Sequence, residues 1–136
     1  MVSRNKRNAA ASVAGALALS LQAGAAPGAS RPTVAFSCPA AAPDALCAAL
    51  ETELARRAAP RPLQDAPAAH REALSITLEL TRQQDDLLEG RLLWQTPDGR
   101  NGESPLVEVV STDRPIDARA LEGFARALLQ VSDLPL

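Results

Sequence analysis

The stretch Ala73-Leu74-Ser75-Ile76-Thr77-Leu78-Glu79-Leu80-Thr81-Arg82, followed by Leu87-Leu88-Glu89-Gly90-Arg91-Leu92-Leu93-Trp94, decides the fold. In its first half Leu74, Ile76, Leu78 and Leu80 alternate with Ser75, Thr77, Glu79 and Thr81. Strand side chains point to opposite faces at period two, so this pattern predicts a half-buried strand. Leu88, Gly90, Leu92 and Trp94 repeat the pattern in the second half. Gln83-Gln84-Asp85-Asp86 separates the two as a turn, which makes them the central hairpin of an antiparallel sheet. Charge selects the register. Pairing Glu79 with Arg91 is favourable, and it sets Ile76 against Trp94 and Leu78 against Leu92. A register two residues tighter puts Glu79 against Glu89, a pair of like charges.

Upstream, Val34, Phe36 and Cys38 alternate with Thr33, Ala35 and Ser37, which predicts a short first strand. Pro39 and Pro43 interrupt it, because proline lacks the N–H that helix and sheet both use. Asp44 then serves as a helix cap, or follows Pro43 in the first turn. The helix runs to about Ala58, with Leu46, Ala49, Leu50 and Leu54 as one apolar stripe. Pro60 and Pro62 end it. Residues 59–72 read as a Pro- and Ala-rich connection, with a weak strand near 61–64 and a surface His70.

Downstream, residues 97–102 (Pro-Asp-Gly-Arg-Asn-Gly) form the clearest turn signal in the chain. Leu106 to Val110 is the next strand, and Pro105 at its start suits a sheet edge. Val107, Val109 and Ser111 are expected on the core side, with Leu106, Glu108 and Val110 facing out. After a turn at 112–115, Asp117 caps a last helix carrying Leu121, Phe124, Ala125 and Leu128 on one face. The expected whole is a β-α-β-β-β-α chain in the α/β (α+β) class. Its form is a two-layer sandwich with both helices on one face of a mainly antiparallel sheet. The domain covers residues 33–131, and 132–136 form a tail.

The start of the chain reads differently. Arg4, Lys6 and Arg7 precede an uncharged run from Ala9 to Ala23, and Ala23-Gly24-Ala25 is a small-x-small cleavage site. Residues 1–25 therefore read as a secretory signal peptide and 26–32 as a flexible mature terminus. An uncleaved anchor helix is the alternative, but the Ala-rich run falls short of the ~20 strongly apolar residues a span needs. Export predicts a periplasmic or secreted protein with no integral membrane span after signal removal. It also predicts that the two cysteines, Cys38 and Cys47, form a disulfide. A redox or metal role is disfavoured, since the pair is not Cys-x-x-Cys and only His70 accompanies it.

Without residues 1–25 the chain keeps 11 arginines and 16 acids, a net charge of 11 − 16 = −5. No basic stripe serves nucleic acid or an anionic membrane surface. The chain has no Gly-x-Ser-x-Gly, no His-Glu-x-x-His and no phosphate-cradling glycine loop. No catalytic residue, metal ligand or cofactor is predicted.

The strand, the helix around Leu46 to Arg57 and the hairpin ending near Trp94 resemble the amino-terminal domain of TolB and related envelope proteins. The resemblance covers residues 33–110 and implies a role in protein–protein contact with another envelope protein. A binding role also has a clue in the residues themselves. Leu87, Leu93, Leu106 and Val110 fall on the sheet face that should be wet, a candidate interaction patch. The expected function is thus a small non-catalytic envelope accessory or interaction domain. The rival is a small periplasmic hydrolase or ligand-binding protein whose site is assembled only in three dimensions. A pocket uniting two or more of His70, Glu79, Glu89 and Asp98 would favour that rival.

Overall fold

The computed structural model describes residues 33–65 and 72–136. The expected signal peptide, the terminus at 26–32 and His70 lie outside the described residues. The elements are β1 (Val34–Ser37), α1 (Asp44–Ala58), β2 (Leu63–Asp65), β3 (Leu74–Gln84), β4 (Leu87–Gln95), β5 (Asn101–Glu103), β6 (Val107–Val110) and α2 (Ala118–Val131). The strands form one sheet in the order β2-β1-β3-β4-β5, and β6 also pairs with β4. The α+β architecture expected from the sequence is present, with two strands added.

Those additions, β2 and β5, change the character of the sheet. β1 runs parallel to both β2 and β3, whereas β4 is antiparallel to β3, β5 and β6. The sheet is therefore mixed. The connection at 59–72 reads as loop apart from a weak strand near 61–64, and that strand is β2, in which Leu63 pairs with Val34 directly after Pro62. Asn101 and Gly102 had read as turn, but they belong to β5.

The β3–β4 pairing has the register that charge selects. Glu79 opposes Arg91, Ile76 opposes Trp94 and Leu78 opposes Leu92. The turn is shorter than expected. Between Leu80↔Gly90 and Arg82↔Glu89 the chain advances two residues on β3 and one on β4, so Thr81 is a bulge. Its hydroxyl donates to the Glu89 carboxylate at 2.8 Å. The extra residue lets β3 continue to Gln84, opposite Leu87, and leaves Asp85-Asp86 as a two-residue turn. Glutamines at 83 and 84 carry no strand signal, which is why the sequence gives that segment to the turn.

Beyond that turn, two loops are tied to it. The carbonyl of Asp86 accepts from Ser111 N–H, and that of Asp85 from Ile116 N–H, each at 2.8 Å. Gln83 Nε2 reaches across to the Ala41 carbonyl at 2.7 Å. The hairpin tip thereby joins the loop before α1 to the loop before α2.

One face of the sheet carries the core. Val34, Phe36, Leu74, Ile76, Leu78, Leu88 and Leu92 meet Leu46, Leu50 and Leu54 of α1 and Leu121, Phe124, Leu128 and Leu129 of α2. Both helices thus lie on the same face. α1 begins after Pro43 with Asp44 in its first turn, the second of the two starts read from the sequence. α2 is capped as expected, the Asp117 carboxylate accepting from Ala120 N–H at 2.8 Å. The helices touch directly where Arg57 donates to the Leu129 carbonyl at 3.3 Å.

Cys38 and Cys47 are disulfide-bonded, with Cα atoms 5.9 Å apart. The bond joins the residue after β1 to the first turn of α1. Closing so short a loop restricts the unfolded chain by about 2–3 kcal/mol in the chain-entropy account.

Trp94 fixes the far end of β4 through a glycine. Its partner across the ladder is Gly102, and a Cβ added there would lie 2.5 Å from the indole Cζ2. The ring occupies the space where a side chain would stand. Gly102→Ala should therefore destabilise the protein by ~1–3 kcal/mol, the usual cost of overpacking. In a Trp94→Leu background the same change should cost about 0.5 kcal/mol or less. Urea denaturation of the four chains measures this coupling, and an equal penalty in both backgrounds would show that the ring is not the cause.

Candidate functional site

The sheet face opposite the helices is where the sequence places its candidate interaction patch. Among the described residues no helix covers it. The odd-numbered side chains of β4 (Leu87, Glu89, Arg91 and Leu93) emerge here, because Leu88, Gly90 and Leu92 are buried.

Charge occupies the middle of this face. Arg91 Nη2 lies 2.9 Å from Glu79 Oε1, and its Nη1 lies 3.1 Å from Glu103 Oε2. One guanidinium thus spans three adjacent strands. Arg82 faces Glu108 more loosely at 3.5 Å, with both side chains about half exposed. Together with Glu89, the face holds four carboxylates against two guanidiniums, a net of 2 − 4 = −2. Each exposed pair contributes at most about 1 kcal/mol, so these contacts order the face more than they stabilise the fold.

That charged band divides the predicted patch. Leu87 and Val110 are register partners at one end. Leu93 sits at the other, opposite Thr77 and Glu103, with Arg91 and Glu89 between it and Leu87. Leu93 lines a shallow cleft of about 290 Å³ with Pro39, Ala41, Thr77, Glu79 and Gln83. Leu106, immediately before β6, and Val110, its last residue, are 52% and 56% exposed, whereas Leu87 and Leu93 are half-buried. The exposed apolar surface is therefore concentrated at the β6 edge.

The edge itself is built by an interruption. From Leu93↔Glu103 to Gly90↔Val107, β4 advances three residues while the edge advances four. Ser104 and Pro105 absorb the difference. Ser104 N–H donates to the Leu92 carbonyl at 2.8 Å, and its Oγ accepts from Leu92 N–H at 2.9 Å. The buried hydroxyl thus replaces a backbone acceptor that the bulge turns away. Pro105 has no N–H to lose at this point. Downstream, Ser111 N–H donates to the Asp86 carbonyl. Inward and outward bonding alternate along an antiparallel strand, so between these anchors Val107 and Val109 face β4. The backbone N–H and C=O groups of Leu106, Glu108 and Val110 are directed to the other side, where no strand among the described residues pairs with them.

The carboxylates that would mark a catalytic pocket are each engaged in local structure. Glu79 pairs with Arg91, and Glu89 accepts from Thr81. Asp98 sits in the β4–β5 turn, where Thr96 donates to it and Arg100 Nε lies 3.2 Å away. The cleft beside Leu93 includes Glu79 alone of these three. Among the described residues no group of three or more His, Cys, Asp or Glu side chains is arranged to hold a metal ion. Among them, too, no helix is long and apolar enough to cross a membrane. No family model matches the chain, and no curated protein matches its sequence.

The 97–100 turn displaces the acidity of Asp98. Gly99 adopts φ 90°, a left-handed conformation open to glycine, and its N–H donates to the Thr96 carbonyl at 3.1 Å. Buried Thr96 accepts from Arg100 N–H at 3.0 Å. Asp98 is held below its ordinary value of 3.8, first by the Thr96 hydroxyl bond and then by the Arg100 charge. A depressed carboxylate stabilises the fold above its unfolded value and loses that contribution as pH falls through its folded value. Asp98→Asn should thus be less stable than the native chain at neutral pH, with the difference shrinking below pH 3.8. Thermal unfolding of both chains from pH 7 to pH 2 checks this, and a difference that stays constant down to pH 2 would refute the assignment.

Proposed function

We propose that this protein is an exported, disulfide-stapled, non-catalytic interaction domain of the bacterial envelope. The observation that carries the reading is the pair Leu106, just before edge strand β6, and Val110, its last residue, each more than half exposed. Every other second residue of that strand, Val107 and Val109, packs against the core. An exposed apolar edge on so small a domain is the kind of surface that marks a protein contact. Leu87 extends it on β4, and Leu93 supplies a separate apolar position beside Pro39 and Ala41.

Export is supported by the disulfide, which forms and persists in oxidising compartments. It is supported as well by the basic, apolar and small-residue order of residues 1–25. A place among the TolB amino-terminal-domain-like envelope proteins belongs to the same proposal. The partner is then another envelope protein rather than nucleic acid, in keeping with the acidic chain.

Two outcomes are expected. N-terminal sequencing of the protein recovered from the periplasm or medium should begin at Ala26, and a chain still starting at Met1 would contradict cleaved export. Affinity capture from an envelope extract should lose its partners with Leu106→Arg/Val110→Arg, while circular dichroism stays unchanged. Leu93→Arg reports separately on the cleft at the other end of the face. Recovery of the same partners by all three chains would remove the patch from the function.

A further inference from the structure

We infer that the β6 edge accepts one short strand from a different protein, with the pattern apolar–x–basic–x–apolar. This rests on the interaction reading above and specifies the partner's chemistry. Three observations carry it: where the backbone is open, how long the opening is, and which charge it presents.

The open groups belong to Leu106, Glu108 and Val110, whose side chains also face the uncovered side of the sheet. An added antiparallel strand would bond those groups and set its own alternate side chains beside Val110, Glu108 and Leu106. The opening is bounded. Pro105 offers no N–H at one end. At the other, Ser111 turns its N–H to Asp86. A partner strand of about five residues fills it at the usual strand rise.

Charge decides what that strand carries. Among the described residues Glu108 has only Arg82 as a cation partner, at 3.5 Å, and their charges leave the face net negative. A basic residue at the centre of the incoming strand would lie directly opposite Glu108, and apolar residues on either side would cover Leu106 and Val110. A second copy of this chain does not supply that pattern. Pairing β6 with itself about Glu108 sets Leu106 against Val110 but Glu108 against Glu108, a like-charge pair. Sliding by one outward residue sets Leu106 against Glu108 instead. The charge therefore favours a foreign strand and opposes self-pairing.

The test uses the full chain and three end-capped peptides, followed by amide chemical shifts of residues 106–110. The first peptide is Gly-Val-Thr-Arg-Thr-Leu-Gly. The second replaces its arginine by glutamate, and the third keeps the composition of the first with arginine moved to the end. The first should bind roughly fivefold more tightly than either of the others, the gain expected of a cross-strand ion pair over a mismatched one. Glu108→Arg should invert the preference between the first and second peptides, a reversal that loss of folding cannot mimic. Equal binding of the three, or no shift at 106–110, would overturn the inference. So would a concentration-dependent dimer with shifts at those amides, because a second copy would then fill the edge. If capture is lost in Leu106→Arg/Val110→Arg yet the peptides do not discriminate, strand addition fails while the interaction reading stands. Unchanged capture removes the interaction reading itself.

Discussion

The pairing of β3 with β4 is the constraint on which the other elements depend. Its register places Ile76, Leu78, Leu88 and Leu92 on one face, and those side chains make the floor on which both helices rest. Side-chain period is two, so a slip of one residue would carry that apolar set to the opposite face and present Glu79 and Arg91 to α1 and α2. Burying that pair without water would be costly. The Glu79–Arg91 contact is thus minor as a source of stability and decisive as a marker of register. β1 adds to β3 in parallel, β5 and β6 add to β4, and each inherits its facing from the hairpin.

The parts of this fold legible in the sequence are those with strong periodicity. The alternation of Leu74 to Leu80 and the stripes at Leu46, Leu50, Leu54 and at Leu121, Phe124, Leu128 predict elements that the structure contains. The cysteine pairing was legible too, because two cysteines leave only one intramolecular partner choice. What was faint or escaped was short or aperiodic. β2, three residues after a proline, shows only as a weak strand signal near 61–64, and β5 escaped because it contains Asn101 and Gly102, both of which favour turns. Gly102 is tolerated in a strand because the indole of Trp94 fills its missing volume, a long-range fact absent from local pattern. The bulge at Thr81 likewise depends on a partner residue, Glu89, that only the folded hairpin supplies.

The facing of the candidate patch residues was legible, and their arrangement was less so. Alternation identifies which residues face away from the helices, and Leu87, Leu93, Leu106 and Val110 do so. It does not reveal that Glu79, Arg91 and Glu103 gather into a charged band that separates Leu93 from Leu87. Nor does it reveal the Ser104 hydroxyl acting as a backbone substitute at the start of the edge. No residue-type signal marks that role, since serine is common at surfaces and only its burial against Leu92 gives it away. Of the four apolar positions, only Leu106 and Val110 at the β6 edge are more than half exposed.

The two hairpin turns look alike in a diagram, but they differ in what they hold. Among the described residues, the turn at 97–99 bonds only to its own flanks, Thr96 and Arg100. The Asp85-Asp86 turn lends its two carbonyls to Ser111 and Ile116, while Gln83 beside it holds Ala41. The first is therefore a place where the chain can be lengthened, tagged or opened into new termini at little cost. The second is a joint. Lengthening it would release the approach to both helices, so an insert of the same size would act on the whole helical layer.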